Sequence, residues 1–360
     1  MLKLSESMKE LEGRAANALV KLIADVPSIR VDNIEVEAQT PDREIDILAR
    51  LNVADQPRIL VCEVKASGQP RHVRAGLLQL RNYVAHLGNN AIPVFIAPYL
   101  SPEAQALCKE NKVGFLDLVG NARLVFDGVF IERLVSSTPP TERRELKSLF
   151  KPKSAQVLRV MMRDPKRAWR VTELAEVAGV SLGHVSNVRA GLVDREWGQV
   201  SERGLFLSEP EALLNAWRDE YESPDGKRMG FYTVLHGSAF EHAARDVLKA
   251  HSEKGKAAFA SFSAAHWLAP YGRTGTQYFY ADISGLDQLK ERLKLSPSPK
   301  GENVVVTVLK DDGLFRDTVE PAPGVVCTSD VQTYLDLWAA GERGQEAAEH
   351  LQRTRLSWSK

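Results

Sequence analysis

Residues 43–65 read REIDILARLNVADQPRILVCEVK, and this stretch decides the fold of the N-terminal part of the chain. It begins and ends with an apolar run, and the residues between the two runs, 52–57, include the turn-forming types Asn, Asp and Pro. One charged side chain interrupts each run, Asp46 in the first and Glu63 in the second. The pattern predicts two adjacent antiparallel strands joined by a turn.

Three charged side chains of this hairpin are predicted to lie together. Side chains on a strand alternate between its two faces, so Glu63 and Lys65 point the same way, and antiparallel pairing would bring Asp46 beside them. Two carboxylates there offer the hard oxygen ligands that Mg²⁺ prefers, so Asp46 and Glu63 are the predicted metal ligands. Lys65 would orient or activate the attacking water while the metal stabilises charge on a phosphate.

The Glu-x-Lys tripeptide is informative only in this setting. It occurs twice more, at Glu110/Lys112 and at Glu145/Lys147, in polar surroundings where a solvated charge pair is expected. Glu63 differs because it interrupts an apolar strand, where a buried charge is costly unless it is paired or binds a metal.

The order of elements predicted for residues 1–135 resembles the PD-(D/E)xK, or restriction-endonuclease-like, superfamily. That order is a helix, three strands, a helix and a strand, at residues 5–24, 29–38, 44–51, 58–66, 71–87 and 92–97. The resemblance implies an α/β/α domain in which Asp46, Glu63 and Lys65 are catalytic.

The resemblance also implies accessory residues. Gln79 matches a glutamine found on the second helix in several branches of the superfamily. Some members carry an acidic residue on the first helix, which Glu10 or Glu12 would supply, and the sequence does not choose between them. The alternative is a nuclease fold that now serves as a DNA-docking or structural module.

Residues 154–208 have the layout of a winged helix-turn-helix. The predicted helices are 155–163, 171–178 and 182–196, and the predicted wing strands are 199–200 and 205–207. Gly179 supplies the turn, because a tight corner favours a residue that tolerates positive φ. Ser181 is expected to cap the third helix. The predicted inward face of that helix consists of Val185, Val188, Leu192 and Val193.

Local charge supports contact with double-stranded DNA in this region. Residues 143–170 contain ten Lys or Arg against two acids, which is typical of a surface that contacts phosphates. By resemblance to helix-turn-helix proteins, the third helix enters the major groove and the wing reaches the backbone. The predicted DNA-binding residues are Ser181, His184, Ser186, Asn187, Arg189, Arg203, Lys166, Arg167 and Arg170. The alternative is a winged helix that makes only protein contacts.

The C-terminal region has an alternating α/β pattern. Strands are predicted at 277–282, 303–309 and 325–328, and helices at 238–251, 286–294 and 330–339. Asp311 and Asp312 precede Gly313 and are interpreted as a hairpin turn. No catalytic spacing is evident there.

Three segments of this region resemble the AbiEi family, the transcriptional antitoxins of type IV abortive-infection toxin–antitoxin systems. They are SFSAAHWLAPYG at 261–272, QYFYAD at 277–282 and CTSDVQTYLDLWAAGERGQEAAEHL at 327–351. The resemblance covers residues 154–351 and implies a protein that represses its own operon and counters a nucleotidyltransferase-like toxin. A homodimer and a monomer bound to DNA repeats both fit this reading.

Length and composition indicate a globular protein of several domains. The chain has 360 residues, of which 44% are hydrophobic and 26% charged, and its formal net charge is zero. Its three cysteines, Cys62, Cys108 and Cys327, fit neither a zinc pattern nor a disulfide framework. Reduced thiols, the lack of a signal-peptide core and the lack of a long apolar stretch predict a cytoplasmic protein without membrane contact.

Proline-rich and glycine-rich breaks at 136–152 and 220–230 predict the domain limits. We expect a restriction-endonuclease-like domain at 1–138, a linker and winged helix-turn-helix at 139–222, and an AbiEi-like α/β domain at 223–360.

Two main hypotheses follow from these patterns. The first is a DNA-binding transcriptional regulator of antitoxin type, whose nuclease-like domain widens the DNA or partner interface. The second is a Mg²⁺-dependent endonuclease, of use in phage defence, that its winged helix directs to a target. A third, a scaffold that binds a toxin without DNA chemistry, has less support.

Overall fold

The computed structural model describes residues 7–40, 43–135, 138–249, 255–272, 275–298 and 300–358. The chain divides into two compact units, Met1–Arg143 with Asp194–Glu196, and Arg144–Val193 with Trp197–Lys360. Each unit contains a large sheet and several helices, which confirms the predicted α/β multidomain class.

The first unit is built on one seven-stranded sheet whose strands follow the chain in order. Its elements are α1 (Met8–Ala24), β1 (Ile29–Thr40), β2 (Arg43–Val53), β3 (Gln56–Val64), α2 (Pro70–Leu87), β4 (Ala91–Ala97), α3 (Pro102–Glu110), β5 (Gly114–Asp117), β6 (Ala122–Phe126) and β7 (Val129–Arg133). Pairing is antiparallel from β1 to β3, parallel from β3 to β5 and antiparallel from β5 to β7. The predicted order of one helix, three strands, a helix and a strand is therefore present.

Helices cover both faces of this sheet because successive strand residues face opposite sides. Ile47 of β2 packs in one apolar cluster with Leu19 of α1. Its neighbour Leu48 packs in a second cluster with Leu80 of α2 and Leu107 of α3. The result is three layers with a core on each side of the sheet.

The hairpin of β2 and β3 is tighter than predicted. Val53 pairs with Gln56, so the connection has only two residues, Ala54 and Asp55. Both have positive φ, +47° and +66°, as in the two-residue turns whose twist matches that of the flanking strands. The strands therefore extend further into residues 52–57 than the turn-forming residue types indicated.

The first helix begins at Met8, later than predicted. The Oγ of Ser7 accepts from the Glu10 backbone N–H at 3.3 Å, and the Glu10 carboxylate accepts from the Ser7 backbone N–H at 3.0 Å. This reciprocal pair satisfies two N–H groups that the first helical turn leaves without partners, and so fixes the start of the helix.

The turn between β5 and β6 is organised by one buried carboxylate. Asp117 is 1% exposed and accepts from the backbone N–H groups of Leu100, Val119, Gly120 and Asn121 at 2.8–3.1 Å. The Asn121 side-chain amide donates to it as well, at 2.7 Å. One side chain thus satisfies five donors and holds the turn in place.

Helix α4 (Pro140–Leu149) crosses the boundary between the units, and the second unit begins with three helices and a small sheet. These are α5 (Pro152–Arg163), α6 (Val171–Ala178), α7 (Leu182–Asp194), β8 (Gly198–Ser201) and β9 (Gly204–Leu207). The element order predicted for residues 154–208 is present, although α7 ends at Asp194. Val193 is only half-buried, whereas Val185, Val188 and Leu192 are fully buried.

The remainder of the second unit contains another seven-stranded sheet, in the order β13-β10-β14-β12-β11-β16-β15. Its elements are α8 (Pro210–Asp219), β10 (Gly226–Tyr232), α9 (Gly237–Lys249), β11 (Ala257–Phe259), α10 (Ser261–Leu268), β12 (Gln277–Ala281), α11 (Ile283–Arg292), β13 (Ser296–Pro297), β14 (Val304–Leu309), a 3₁₀ helix (Asp312–Asp317), β15 (Thr318–Ala322), β16 (Val325–Thr328), α12 (Asp330–Trp338) and α13 (Glu342–Arg355).

Two interpretations of the C-terminal region were wrong. Residues 226–230, assigned to a break between domains, belong to β10, which pairs with β14 inside the sheet. Asp311 and Asp312 do not form a hairpin turn. Asp311 instead caps the 3₁₀ helix by accepting from the Gly313 backbone N–H at 2.7 Å.

One apolar core runs through the second unit. It contains Leu158 of α5, Val185 of α7, Phe279 of β12 and Leu351 of α13. The regions predicted as separate domains at 139–222 and 223–360 therefore share a core from α5 onward.

The three cysteines and the apolar character of the helices bear on predictions made above. Cys62, Cys108 and Cys327 are all buried and free, and burial raises the pKa of each thiol. Within the described ranges, none of the helices combines the length and apolar character needed to cross a membrane.

We expect Asp117→Ala to lower the free energy of unfolding of the first unit by about 3 kcal/mol, because it leaves several buried N–H groups without acceptors. All six Trp residues lie in the second unit. The loss should therefore appear in far-ultraviolet circular dichroism during urea unfolding, and not in the Trp fluorescence transition.

Asp32→Ala is the matched control, because its carboxylate is half-exposed and, among the described residues, pairs with Arg30 alone on the surface. It should change the unfolding free energy by less than about 0.5 kcal/mol. Equal free energies of unfolding for the two variants would contradict the role given to Asp117.

Candidate functional site

The hairpin brings Asp46 against the end of β3. The last residue pair of β2 and β3 on this side is Ile47 with Cys62, one residue from Asp46 and from Glu63. The Val64 backbone N–H donates to Asp46 Oδ2 at 2.7 Å. The predicted neighbourhood of the two carboxylates is therefore realised through a hydrogen bond as well as through strand pairing.

Glu63 is a buried carboxylate held by two polar partners. It is 1% exposed, and its Oε1 forms an ion pair with the Lys65 ammonium. Tyr83 of α2 also hydrogen-bonds to the carboxylate. The other oxygen, Oε2, is buried and has no hydrogen-bond partner.

Burial is the main influence on both acids. It raises the pKa of Glu63, the Lys65 hydrogen bond opposes this, and the nearby charge of Asp46 raises the pKa further. Burial also raises the pKa of Asp46, opposed by the Val64 hydrogen bond and the charge of Lys65. The two carboxylates are thus close enough to repel each other, and Lys65 reduces that repulsion.

Gly76 allows α2 to lie directly over this site. A Cβ at Gly76 would come within 2.4 Å of Phe95 Cε2 and 3.4 Å of Glu63 Cγ. Any larger residue would push the helix off the sheet, because the ring of Phe95 is fully buried and cannot move aside. The close approach is what brings Tyr83, 8% exposed on the same helix, to Glu63.

The donor set fits a hard divalent cation with two protein carboxylates. An unpartnered buried oxygen on Glu63, beside a second carboxylate, is the arrangement that a cation would satisfy. No group of three or more His, Cys, Asp or Glu side chains suited to a metal occurs in the described part of the chain. A cation here would therefore rely on Asp46 and Glu63, with water completing its coordination.

The other residues predicted for this site form no described contact with Asp46 or Glu63. Gln79 is exposed on α2 and forms no hydrogen bond with described residues. Glu10 is used in the N-terminal cap of α1, whereas Glu12 is 7% exposed on the buried side of that helix. Of the two residues considered for the acidic position on the first helix, Glu12 is therefore the buried one.

The two other Glu-x-Lys copies are solvated, as predicted. Glu110 and Lys112 lie exposed at and beyond the end of α3, and Glu145 and Lys147 are exposed on α4.

A second candidate site lies on the surface of α7. Gly179 ends α6 in the left-handed conformation at φ +65°, and the chain then turns into α7. Ser181 Oγ accepts from the His184 backbone N–H at 3.3 Å and caps the helix. All of the predicted contact residues of α7 and of the β8–β9 hairpin are exposed, namely Ser181, His184, Ser186, Asn187, Arg189 and Arg203.

The basic segment before α7 is only partly available. Lys166, Arg167 and Arg170 are exposed, but Arg167 pairs with Glu173 and its guanidinium lies 3.7 Å from the centre of the Trp169 ring. Other cations counted in the patch also have internal partners. These are Lys147 with Glu222, Lys153 with Asp311, and Arg159 and Arg163 with Asp317.

A further arginine, from the C-terminal half of the unit, lies at the α6–α7 corner. A Cβ on Gly179 would come within 2.7–2.8 Å of three guanidinium atoms of Arg316. Arg316 is exposed and donates no hydrogen bond to the described residues, although its charge lowers the pKa of Asp312 together with Lys256. Its donors therefore face solvent beside the start of α7.

Tyr83 and Arg316 are the residues of these sites that the sequence did not reveal. Tyr83 follows Gln79 by four positions, so a search for polar groups on that face of α2 would have found it. Arg316 lies far from α7 in sequence, and no local signal indicates their proximity.

Solved structures that resemble the chain include a repair endonuclease from Pyrococcus abyssi. It is 19% identical over 33% of this chain and 49% of its own, with a TM-score of 0.25. A complex of EndoMS with dsDNA is 20% identical over 32% and 46%, with a TM-score of 0.25. EndoMS in the apo form is 19% identical over 32% and 47%, with a TM-score of 0.23. The chain spans about half the length of these structures.

No curated protein matches the chain in sequence. A family model described as "Transcriptional regulator, AbiEi antitoxin, Type IV TA system" matches residues 206–356. The resemblance to the AbiEi antitoxin family that was predicted for the C-terminal region is therefore confirmed over residues 206–356.

Proposed function

We propose that this protein is a transcriptional regulator of antitoxin type that binds double-stranded DNA through α7 and the β8–β9 hairpin. The observation that carries the proposal is the exposed polar face of α7, placed after the left-handed Gly179 corner. The family model that matches residues 206–356 is described as a transcriptional regulator, and on that basis we assign the DNA contact a role in regulation.

In this proposal α5, α6 and α7 with β8 and β9 form a winged helix-turn-helix, and α7 enters the major groove. Asn187 and Arg189 supply side chains that can bond bidentately to base edges, with His184 and Ser186 beside them. Ser181 lies at the N-terminus of α7, where the helix dipole favours a phosphate.

Positive charges around α7 would hold the DNA backbone. Arg203 in the wing and Lys166 and Arg170 before α6 are exposed cations close to α7 in the chain. Arg316 adds a guanidinium at the α6–α7 corner, so the C-terminal half of the unit also contributes to this surface. Arg167 contributes less, because Glu173 already neutralises it.

The same assignment implies a protein partner. The family that matches residues 206–356 is named for type IV toxin–antitoxin systems, and we propose that this chain has a cognate toxin. By the resemblance noted above, that toxin would be nucleotidyltransferase-like.

We expect Asn187→Ala and Arg189→Ala each to weaken binding of DNA from upstream of the protein's own gene by about tenfold or more. Each removes a base-edge contact from the major groove. Fluorescence anisotropy with labelled upstream DNA, at fixed salt concentration and without divalent metal, measures the change.

Arg228→Ala on β10 is the control, since Arg228 is equally exposed and carries the same charge outside this surface. Its affinity should match that of the unmodified protein. If the α7 variants bind as tightly as Arg228→Ala, the proposed DNA surface is wrong.

A second candidate function, Mg²⁺-dependent endonuclease activity, is favoured by one observation. Glu63 lies buried in the middle of a sheet with one oxygen unpartnered, beside Asp46 and paired with Lys65. A purely structural core would replace this group with an apolar residue, because an unsatisfied buried carboxylate oxygen destabilises the fold.

The residues of this site suit hydrolysis of a phosphodiester. Asp46 and Glu63 would hold Mg²⁺, which lowers the pKa of a bound water and neutralises charge on the phosphate. Lys65 would orient the attacking water by donating a hydrogen bond to it, and Tyr83 hydrogen-bonds to the Glu63 carboxylate from the helix side.

If the site is active, Lys65→Ala and Glu63→Gln should reduce Mg²⁺- or Mn²⁺-dependent nicking of supercoiled plasmid by at least about 100-fold. Each change removes a group from the reacting centre without opening a large cavity. Agarose electrophoresis over a time course, with and without metal, measures the rate.

The double variant Glu110→Gln/Lys112→Ala changes a solvated copy of the same tripeptide and should nick at the unmodified rate. Nicking that persists in Lys65→Ala, or plasmid that stays intact with metal in the unmodified protein, counts against a nuclease.

A further inference from the structure

A pocket of about 380 Å³ lies inside the second unit, between α5 and the C-terminal elements. It is bordered by the end of α4, by α5, by the segment after α8, and by the start of the 3₁₀ helix and α12. Its volume falls in the range of sites that bind small organic molecules.

Apolar atoms make up most of the surface of the pocket. Phe150 and Trp217 stack on each other with ring centres 5.6 Å apart and planes 3° apart, and both residues line the pocket. Ala155, Pro152 and Leu314 line other sides. Flat apolar surfaces of this kind favour a planar aromatic ligand.

Two of its polar side chains are buried and incompletely bonded. Gln156 is 3% exposed, and its Nε2 donates to Asp311 Oδ1 at 3.4 Å, which leaves Oε1 without a donor. Arg159 is 5% exposed and donates to Gln332 Oε1 at 3.1 Å, while its Nε has no hydrogen-bond partner. A buried carbonyl oxygen without a donor is unusual in a folded protein and indicates a missing partner.

The floor beneath Arg159 is rigid. Gln332 donates to Tyr221 Oη at 2.8 Å and to Asp336 Oδ1 at 3.0 Å, and Tyr280 donates to the same carboxylate oxygen at 2.9 Å. These bonds fix the polar side chains under the pocket, so Gln156 is the group free to meet a ligand.

Charge around the pocket is balanced. Its cations are Lys147, Lys151, Arg159 and Lys310, and its acids are Glu220, Glu222, Asp225 and Asp311. Lys147 pairs with Glu222, Lys310 pairs with Asp225, and Asp317 neutralises Arg159. No excess charge remains to favour an ionic ligand over a neutral one.

We propose that this pocket binds an uncharged, planar aromatic molecule that donates an N–H or O–H group to Gln156 Oε1, and that its occupancy changes affinity for DNA. The second part rests on the proposed function. Its basis is α5, which lines the pocket with Ala155 and Gln156 while Val157 and Leu158 pack in the core shared with α6 and α7.

Titration of the full-length protein with N-phenyl-1-naphthylamine tests the binding site. This probe is neutral and aromatic, carries one N–H donor and fluoresces more strongly in apolar surroundings. We expect a saturable rise with one site per chain. Gln156→Leu should weaken binding by about 3- to 10-fold through loss of one hydrogen bond, and Ala155→Phe, which fills the pocket, by more than about tenfold.

Ala212→Phe on the exposed surface of α8 is the matched control and should bind the probe normally. Thermal unfolding identifies any variant that fails to fold. If Ala155→Phe fails to fold, Gln156→Leu alone tests the site. A linear rise without saturation, or unchanged affinity in folded Gln156→Leu and Ala155→Phe, would overturn the site and indicate that only water fills it.

Anisotropy with upstream DNA tests the regulatory part separately. Saturating probe should change the dissociation constant of the unmodified protein by at least about threefold, and that of Ala155→Phe not at all. An unchanged constant with the probe bound overturns the regulatory part alone. Absence of any DNA binding would count against the proposed function and leave the probe titration as the test of the pocket.

Discussion

The candidate metal site of the first unit depends on one constraint, the burial of Glu63 in the interior strand β3. A carboxylate in such a position destabilises the fold unless neighbouring groups compensate. Lys65 pairs with it, and Gly76 lets α2 approach closely enough for Tyr83 to reach it. These contacts compensate one oxygen and leave the other buried without a hydrogen-bond partner, near Asp46, an arrangement that a divalent cation would complete.

In the second unit, several charged groups form buried or internal ion pairs, whereas others stay exposed. Arg159 and Arg163 meet on the buried carboxylate of Asp317 and join α5 to the 3₁₀ helix that carries Arg316. That join explains how an arginine so distant in sequence reaches the corner at Gly179. Several cations of the basic segment before α7 thus form internal ion pairs. A smaller set of exposed cations could contact phosphates.

The sequence predicted those features that depend on local chemistry. The hairpin around Asp46 and Glu63, the corner at Gly179 and the exposed face of α7 follow from strand alternation, positive φ and helical periodicity. Features set by distant contacts were missed. Tyr83 reaches Glu63 only because Gly76 is small, and Gly226 to Tyr232 becomes a strand only because β14 pairs with it. Glycine and proline near that strand indicated a break, and tertiary pairing overrode them.

DNA is proposed to lie on α7 and the adjoining β8–β9 hairpin. Hydrogen–deuterium exchange of backbone amides in the full-length protein, measured with and without upstream DNA and without divalent metal, locates the DNA contact. We expect slower exchange on DNA binding in residues 181–190 and 201–204. Slower exchange confined to the β2–β3 hairpin and α2, with α7 unchanged, would contradict it.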